Sequence, residues 1–148
     1  MRHACAVAVA ILLPIVAAPC LAQTDEPAAR APAPRDASVY FIEPHNGQVV
    51  GPHVKVVFGT HNFGVAPAGM DFPNTGHHHL LIDTPLPPLD QPIPFDRTHK
   101  HFGAGETETV IDLPPGRHTL QLLMGDMNHV PHNPPVMSKP ITIVVRSR

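Results

Sequence analysis

Twenty prolines in 148 residues set the first limit on what this chain can build. Proline has no backbone N–H and collides with the preceding helical turn, so a helical bundle is excluded. Five of them fall in residues 85–94, which therefore cannot be a central strand or a helix. Between the prolines the chain is short-stranded and β-rich. Residues 38–42, 48–50, 53–59, 77–83, 107–113, 117–124 and 141–145 read as strands, bounded by turn signals such as His45-Asn46-Gly47, Gly51-Pro52 and Pro114-Pro115-Gly116. Val54, Val56 and Phe58 alternate on one face, as do His118, Leu120, Leu122 and Met124. The expected fold class is all-β, an antiparallel immunoglobulin-like β-sandwich of about seven strands. A small closed barrel is the alternative.

The chain opens with a different kind of segment. Arg2 is followed by an apolar run over 4–18, interrupted at Pro14, and then by Cys20-Leu21-Ala22. A positive start, a short apolar stretch and small residues at the end describe a secretory signal peptide, expected over 1–22. A lipid attached at Cys20 is disfavoured by Pro19 directly before it. Residues 23–37 are rich in Pro and Ala with mixed charge, and are expected to be a linker or disordered tail. The folded domain is expected over 38–148, in a periplasmic or secreted protein. No later segment is long and apolar enough to cross a bilayer.

Loss of the leader would remove Cys5 and Cys20, the only two cysteines. Thiolate metal sites, cysteine nucleophiles and disulfides are then excluded. Ten Lys+Arg against 12 Asp+Glu, with no basic block, leave no electrostatic footprint for nucleic acid. No serine-nucleophile elbow, phosphate-binding loop or H-E-x-x-H motif is present.

What is abundant is histidine, 12 residues in all. His77, His78 and His79 are consecutive in an expected strand, and His99 and His101 form a second H-x-H pair. Alternate strand residues share a face with α-carbons about 6.6 Å apart. Two such imidazoles can converge on one ion at ~2.0–2.1 Å. His77 and His79 meet this condition, with His78 on the opposite face. His99 and His101 meet it if their segment is extended. The remaining ligand has to come from elsewhere, and the stretch from Asp126 to His132 offers carboxylate, thioether and imidazole together. The expected ligands are His77, His79, His101 and His129. Further ligands or orienting partners are expected among His78, His99, His118, His132, Glu108, Asp126 and Met127. Each has a plainer reading. For His118 a structural role weighs as much as ligation, and His45, His53 and His61 are expected to be structural or exposed. Glu106 and Glu108 are expected to share a strand face. Asp83 and Asp126 can orient imidazoles through the second ring nitrogen. Met124 is expected in the core, while Met70 and Met127 sit in loops, where a thioether suits Cu(I) or simply fills a gap.

The strings Val65-Ala66-Pro67-Ala68-Gly69, Gly76-His77-His78-His79-Leu80-Leu81-Ile82-Asp83, His101-Phe102-Gly103-Ala104-Gly105-Glu106-Thr107-Glu108 and Leu113-Pro114-Pro115-Gly116-Arg117-His118-Thr119-Leu120-Gln121-Leu122 resemble a family of exported bacterial proteins, domain of unknown function 4399. The resemblance spans nearly all of the expected domain. It implies a secreted or periplasmic single domain with no assigned reaction, and its motif histidines map onto His77, His78, His79, His101, His118 and His129. Glu106 stands where that pattern leads one to expect Gln.

Taken together, the expected function is a periplasmic histidine-rich β-sandwich that binds a transition-metal ion, copper before zinc, for storage, delivery or sensing. Affinity is expected to fall as pH drops through about 6.5 and the imidazoles protonate. The alternatives are a metal-dependent enzyme for superoxide dismutation or hydrolysis, and a metal-free module that binds another envelope protein or a glycan.

Overall fold

The computed structural model describes residues 29–147. The leader expected over 1–22, and residues 23–28 of the expected tail, lie outside the described residues. Among the described residues there is no helix, and none long and apolar enough to cross a membrane. The described residues form nine strands: β1 (Ser38–Glu43), β2 (Val49–Val50), β3 (His53–His61), β4 (Gly64–Val65), β5 (Thr75–Ile82), β6 (His99–Phe102), β7 (Glu108–Asp112), β8 (Gly116–Gly125) and β9 (Ile141–Val145). The seven expected strands are all present. The two added are β4, only two residues long, and β6, whose H-x-H segment is indeed extended.

Among the described residues the prolines fall outside the nine strands, where a missing N–H does no harm. Pro52 separates β2 from β3, and Pro114-Pro115 separates β7 from β8. One sheet has the order β1-β3-β7 and is antiparallel throughout. The other has the order β2-β9-β8-β5, and β4 and β6 also pair with β5. The short β2–β9 and β4–β5 pairings are parallel, and the rest of that sheet is antiparallel. One apolar core draws on both sheets: Val39, Val54, Val56, Phe58 and Ile111 from the first, and Leu80, Ile82, Leu120, Leu122, Met124, Ile143 and Val145 from the second. The alternation read along β3 and β8 is therefore the alternation of core and surface. Each fully buried Leu or Ile contributes about 1.5–3 kcal/mol.

Strand β5 departs from simple alternation, because seven of its eight residues are buried. His78, Leu80 and Ile82 sit opposite Met124, Leu122 and Leu120 and face the shared core. His77, His79 and Leu81 point the other way, to the outer face. That face is covered by the proline-rich connection between β5 and β6. Ile93 and Leu86 of this connection pack on Leu81 and Leu123 as a second, small apolar cluster. A segment unable to pair as a strand thus serves as a cover.

The expected solvated tail behaves differently from residue 29 on. The backbone of Ala31 and Ala33 exchanges hydrogen bonds with Asn133. The Arg30 guanidinium donates to the carbonyls of Pro131 and His132. Composition alone suggested no structure there, but the carbonyls of the 131–133 stretch fix it.

Candidate metal centre

Three segments bring four imidazoles together on the outer face. β5 contributes His77 and His79. In the antiparallel pairing of β5 with β6, His101 lies directly opposite His79 and so shares its face. On the other flank, β8 places Gly125 opposite His77 and Leu123 opposite His79. His129 comes from the loop after β8. Asp126 builds that loop: its Oδ1 accepts the N–H groups of Asn128 and Val130, and its carbonyl accepts the N–H of His129. His129 itself has a φ of +67°, in the left-handed region that side chains rarely adopt. Its carbonyl accepts the N–H of Ile93 at 2.9 Å, tying the proline-rich cover to the histidine loop.

The rings meet closely. Ring centroids stand at 4.8 Å for His77–His79, 4.9 Å for His77–His101, 4.9 Å for His77–His129, 5.0 Å for His79–His101 and 4.8 Å for His101–His129. One nitrogen from each of His77, His101 and His129 lies within 4.8 Å of the other two. His79 Nε2 is 3.0 Å from His77 Nε2. Two nitrogens bound to one ion at ~2.0–2.1 Å stand about 2.9–3.4 Å apart, so this pair already has the spacing of ligands. His79 Nδ1 and His101 Nε2 are buried with no hydrogen-bond partner. A buried polar nitrogen without a partner is costly unless something satisfies it.

Burial and mutual repulsion favour the neutral form of His77, His79 and His101. Burial, then the neighbouring imidazoles His129 and His101, push His77 down to about 3. Burial, then His77, His101 and His129, push His79 down to about 2. His101 is also lowered, by burial and then by His129. Neutral imidazole is the metal-binding form. His77 and His79 are fully buried, whereas His101 and His129 are half-buried, so the cluster has a closed side and an open side. The exposed Phe95 ring stands edge-on to His101, with centroids 5.7 Å apart.

Two glycines make room for the cluster, and the sequence reading missed both. A Cβ at Gly125 would lie 3.0 Å from His79 Nε2 and 3.3 Å from the His129 Cα. A Cβ at Gly103 would lie 2.7 Å from His101 Nε2. Phe95 was also missed. The available signal was positional, since Gly103 follows the H-x-H pair by two residues on the same strand path.

The other candidates lie elsewhere. His78 packs against Phe58 in the main core, with centroids 4.8 Å apart, and donates Nδ1–H to the Glu106 carbonyl. His99 is held by the Asp96 carboxylate at 3.0 Å, a bond that keeps that carboxyl well below its usual range. His118 donates one N–H to Asp83 at 2.6 Å and the other to the Pro114 carbonyl at 2.9 Å. His132 stands edge-on to Phe63 and donates Nε2–H to the Thr75 carbonyl. Glu108 is exposed on the opposite sheet, 3.5 Å from Lys55, and Glu106 precedes β7 rather than sharing its face. Asp126 shapes the histidine loop through backbone N–H groups instead of orienting an imidazole. Met127 is exposed, two residues before His129. His45, His53 and His61 are exposed.

No curated protein matches this chain. Among solved structures, the endo-beta-1,4-mannanase from Thermotoga petrophila is similar at 19% identity and a TM-score of 0.44, over 77% of this chain and 20% of that one. The chain thus spans about a fifth of that structure's length, and at this level of similarity nothing about activity transfers. The model of the family described as "Domain of unknown function (DUF4399)" matches residues 56–146, which include all four clustered histidines, and the chain belongs to that family.

Proposed function

We infer that the protein binds a divalent transition-metal ion through His77, His79, His101 and His129, copper ahead of zinc. It does so outside the cytoplasm, on an immunoglobulin-like sandwich frame, as a storage, delivery or sensing protein. The observation that carries this reading is the convergence of four imidazoles from three separate segments, with no carboxylate among them. The donor set fits: imidazole suits both copper and zinc, and divalent affinity peaks at copper. An ion there would satisfy His101 Nε2, which otherwise lacks a partner, and would tie β5, β6 and the 126–130 loop together.

A second reading is a metal-free cluster. It is favoured by the Nε2–Nε2 contact of His77 and His79, which a neutral pair can make as N–H···N. Metal analysis of protein purified without a histidine tag, followed by calorimetric titration with Cu(II) and Zn(II), separates the two. The metal reading expects one tight site that disappears in His77→Ala/His79→Ala and in His101→Ala/His129→Ala. The second variant changes only half-buried residues, and its circular dichroism checks that the fold is kept. Binding by either folded variant as tight as that of the natural protein would overturn the proposal.

The pH dependence follows from burial. The sequence alone put the loss of affinity near 6.5, the usual histidine value. With His77 held near 3 and His79 near 2, protons compete with the ion at these two ligands only at lower pH. Affinity measured from pH 7.5 to 5.5 should therefore decline less than it would for an exposed histidine cluster.

A further inference from the structure

Methionine has two very different environments in this fold. Met124 is fully buried in the core, the ordinary use of a flexible apolar side chain. Met70 is 46% exposed, and Met127 and Met137 are each 37% exposed. An exposed thioether fills no gap and is open to oxidation. Exposure alone says little, since Met137 sits by itself in a different depression beside β1. Met70 and Met127 differ from it because they line one cavity, of about 580 Å³, together.

Their loops are fixed to each other. The N–H of Gly69 donates to the Met127 carbonyl at 3.1 Å, so Met70 begins one residue from that link. Gly69 has a φ of +80°, a turn that favours glycine, and the turn closes with Met70 N–H on the Pro67 carbonyl. Ala68 N–H bonds the Gly103 carbonyl, which anchors the same loop to the end of β6. Both residues therefore sit on neighbouring, well-held backbone and line one cavity. Asp71 adds a carboxylate to the wall. Arg30 also reaches this wall, but its guanidinium is committed to the carbonyls of Pro131 and His132.

We propose that Met70 and Met127 form a second metal site, for a soft monovalent cation such as Cu(I), bound through two thioether sulfurs. A neutral, polarisable sulfur binds hard or borderline divalent ions weakly and suits Cu(I). The site is therefore complementary in chemistry to the imidazole cluster. The two adjoin along the chain, since Met127 precedes His129 by two residues. The methionine site does not depend on the histidine cluster binding metal, because it shares no ligand with it.

Silver(I), a redox-inert probe of the same charge and softness, tests this. The protein is labelled with carbon-13 at the methionine methyls and titrated in chloride-free buffer, with and without prior addition of Zn(II). The methyl signals of Met70 and Met127 should shift together and saturate together, while those of Met124 and Met137 stay in place. Met70→Leu should abolish the shift at Met127, and Met127→Leu the shift at Met70. Leu is near-isosteric and these positions are exposed, so both variants fold. Met137→Leu should change nothing. The proposal is overturned if silver leaves both methyls unmoved, if Met137 shifts equally, or if Met127 responds undiminished in Met70→Leu. The Zn(II) arm reads the histidine cluster separately, so failure there would leave the methionine result intact.

Discussion

The two ends of the β5–β8 pair hold the same residue type in opposite chemical states. At one end, just past β5, His118 gives both ring N–H groups to acceptors, Asp83 Oδ2 and the Pro114 carbonyl. Neither acceptor can donate to the ring, so His118 is doubly protonated when both bonds are made. Burial lowers its pKa, but the Asp83 and Pro114 bonds outweigh that and raise it overall. At the other end, His77, His79, His101 and His129 face one another with no carboxylate between them, and burial and mutual repulsion hold His77 and His79 neutral. Strand position does not distinguish a structural histidine from a candidate ligand. The counter-group does.

The sharpest way to break this contrast is to add metal. An ion that binds only the folded protein stabilises it by about 4 kcal/mol at a free concentration a thousand times its Kd. Thermal unfolding with and without Zn(II) should show that gain in the natural protein and in His118→Ala alike. In His101→Ala/His129→Ala the gain should vanish. If His118→Ala lost it as well, the two ends would not be independent and the contrast would fail.

A smaller effect tests the space around the rings. Gly125→Ala puts a methyl 3.0 Å from His79 Nε2, and Gly103→Ala puts one 2.7 Å from His101 Nε2. The His79 ring must move by a few tenths of an ångström, and the His101 ring, whose Cε1 would lie closer still to the new methyl, by more. Displacing a ligand in this way should weaken Zn(II) affinity by about 10- to 100-fold, the scale seen when groups that orient metal ligands are changed. Calorimetry on variants that keep their β-sheet circular dichroism measures it. Unchanged affinity in both would show that the cluster is looser than its packing implies.

These glycines also mark what was legible in the sequence. The strand alternation that buries Leu120 and Leu122 also puts His77 and His79 on one face, so a period of two was enough to find that pair. His101 joined them because β6 is extended and in register with β5, which the H-x-H spacing allowed but could not require. His129 was reachable only as part of a ligand-rich loop. What places its ring is the Asp126 turn and a left-handed backbone, neither of which leaves a periodic trace. His78 and His132 carry the same side chain and went to the core, where Phe58 and Phe63 receive them. A residue's partners come from distant segments, so histidine count and spacing could not separate these from the cluster. The docking of residues 29–37 was hidden for the same reason: its determinant is the set of carbonyls at 131–133, a hundred residues away.

The His118 end should respond to mutation in stability and not in metal binding. His118→Ala removes a charge-assisted bond to a half-exposed carboxylate, a loss of about 1–2 kcal/mol after allowance for solvent screening. Asp83→Ala should cost more, because Asp83 Oδ1 also accepts the Thr119 N–H at 2.7 Å. Urea unfolding of the metal-free proteins gives the order. Equal losses would mean that the backbone bond contributes nothing measurable.

The finest distinction is in pH. His118 has a folded pKa above its unfolded value, so its stabilisation is complete below about 6.5 and fades as pH rises through the folded value. His77 and His79 have folded values far below 6.5, so the unfolded chain takes up their protons first. Their contribution is complete above about 6.5 and is lost progressively as pH falls toward 3. The two ends therefore pull in opposite directions across the ordinary histidine pKa. Metal-free natural protein should gain a little stability as pH falls toward 6.5 and lose it below. In His118→Ala the gain on the alkaline side should be missing while the acid loss remains. Subtracting one urea-derived stability curve from the other cancels the shared groups that do not touch His118. The difference should be flat below about 6.5 and decline above it. A difference that instead grows with rising pH would mean that His118 is neutral in the folded protein, and that the two ends hold their histidines in the same state after all.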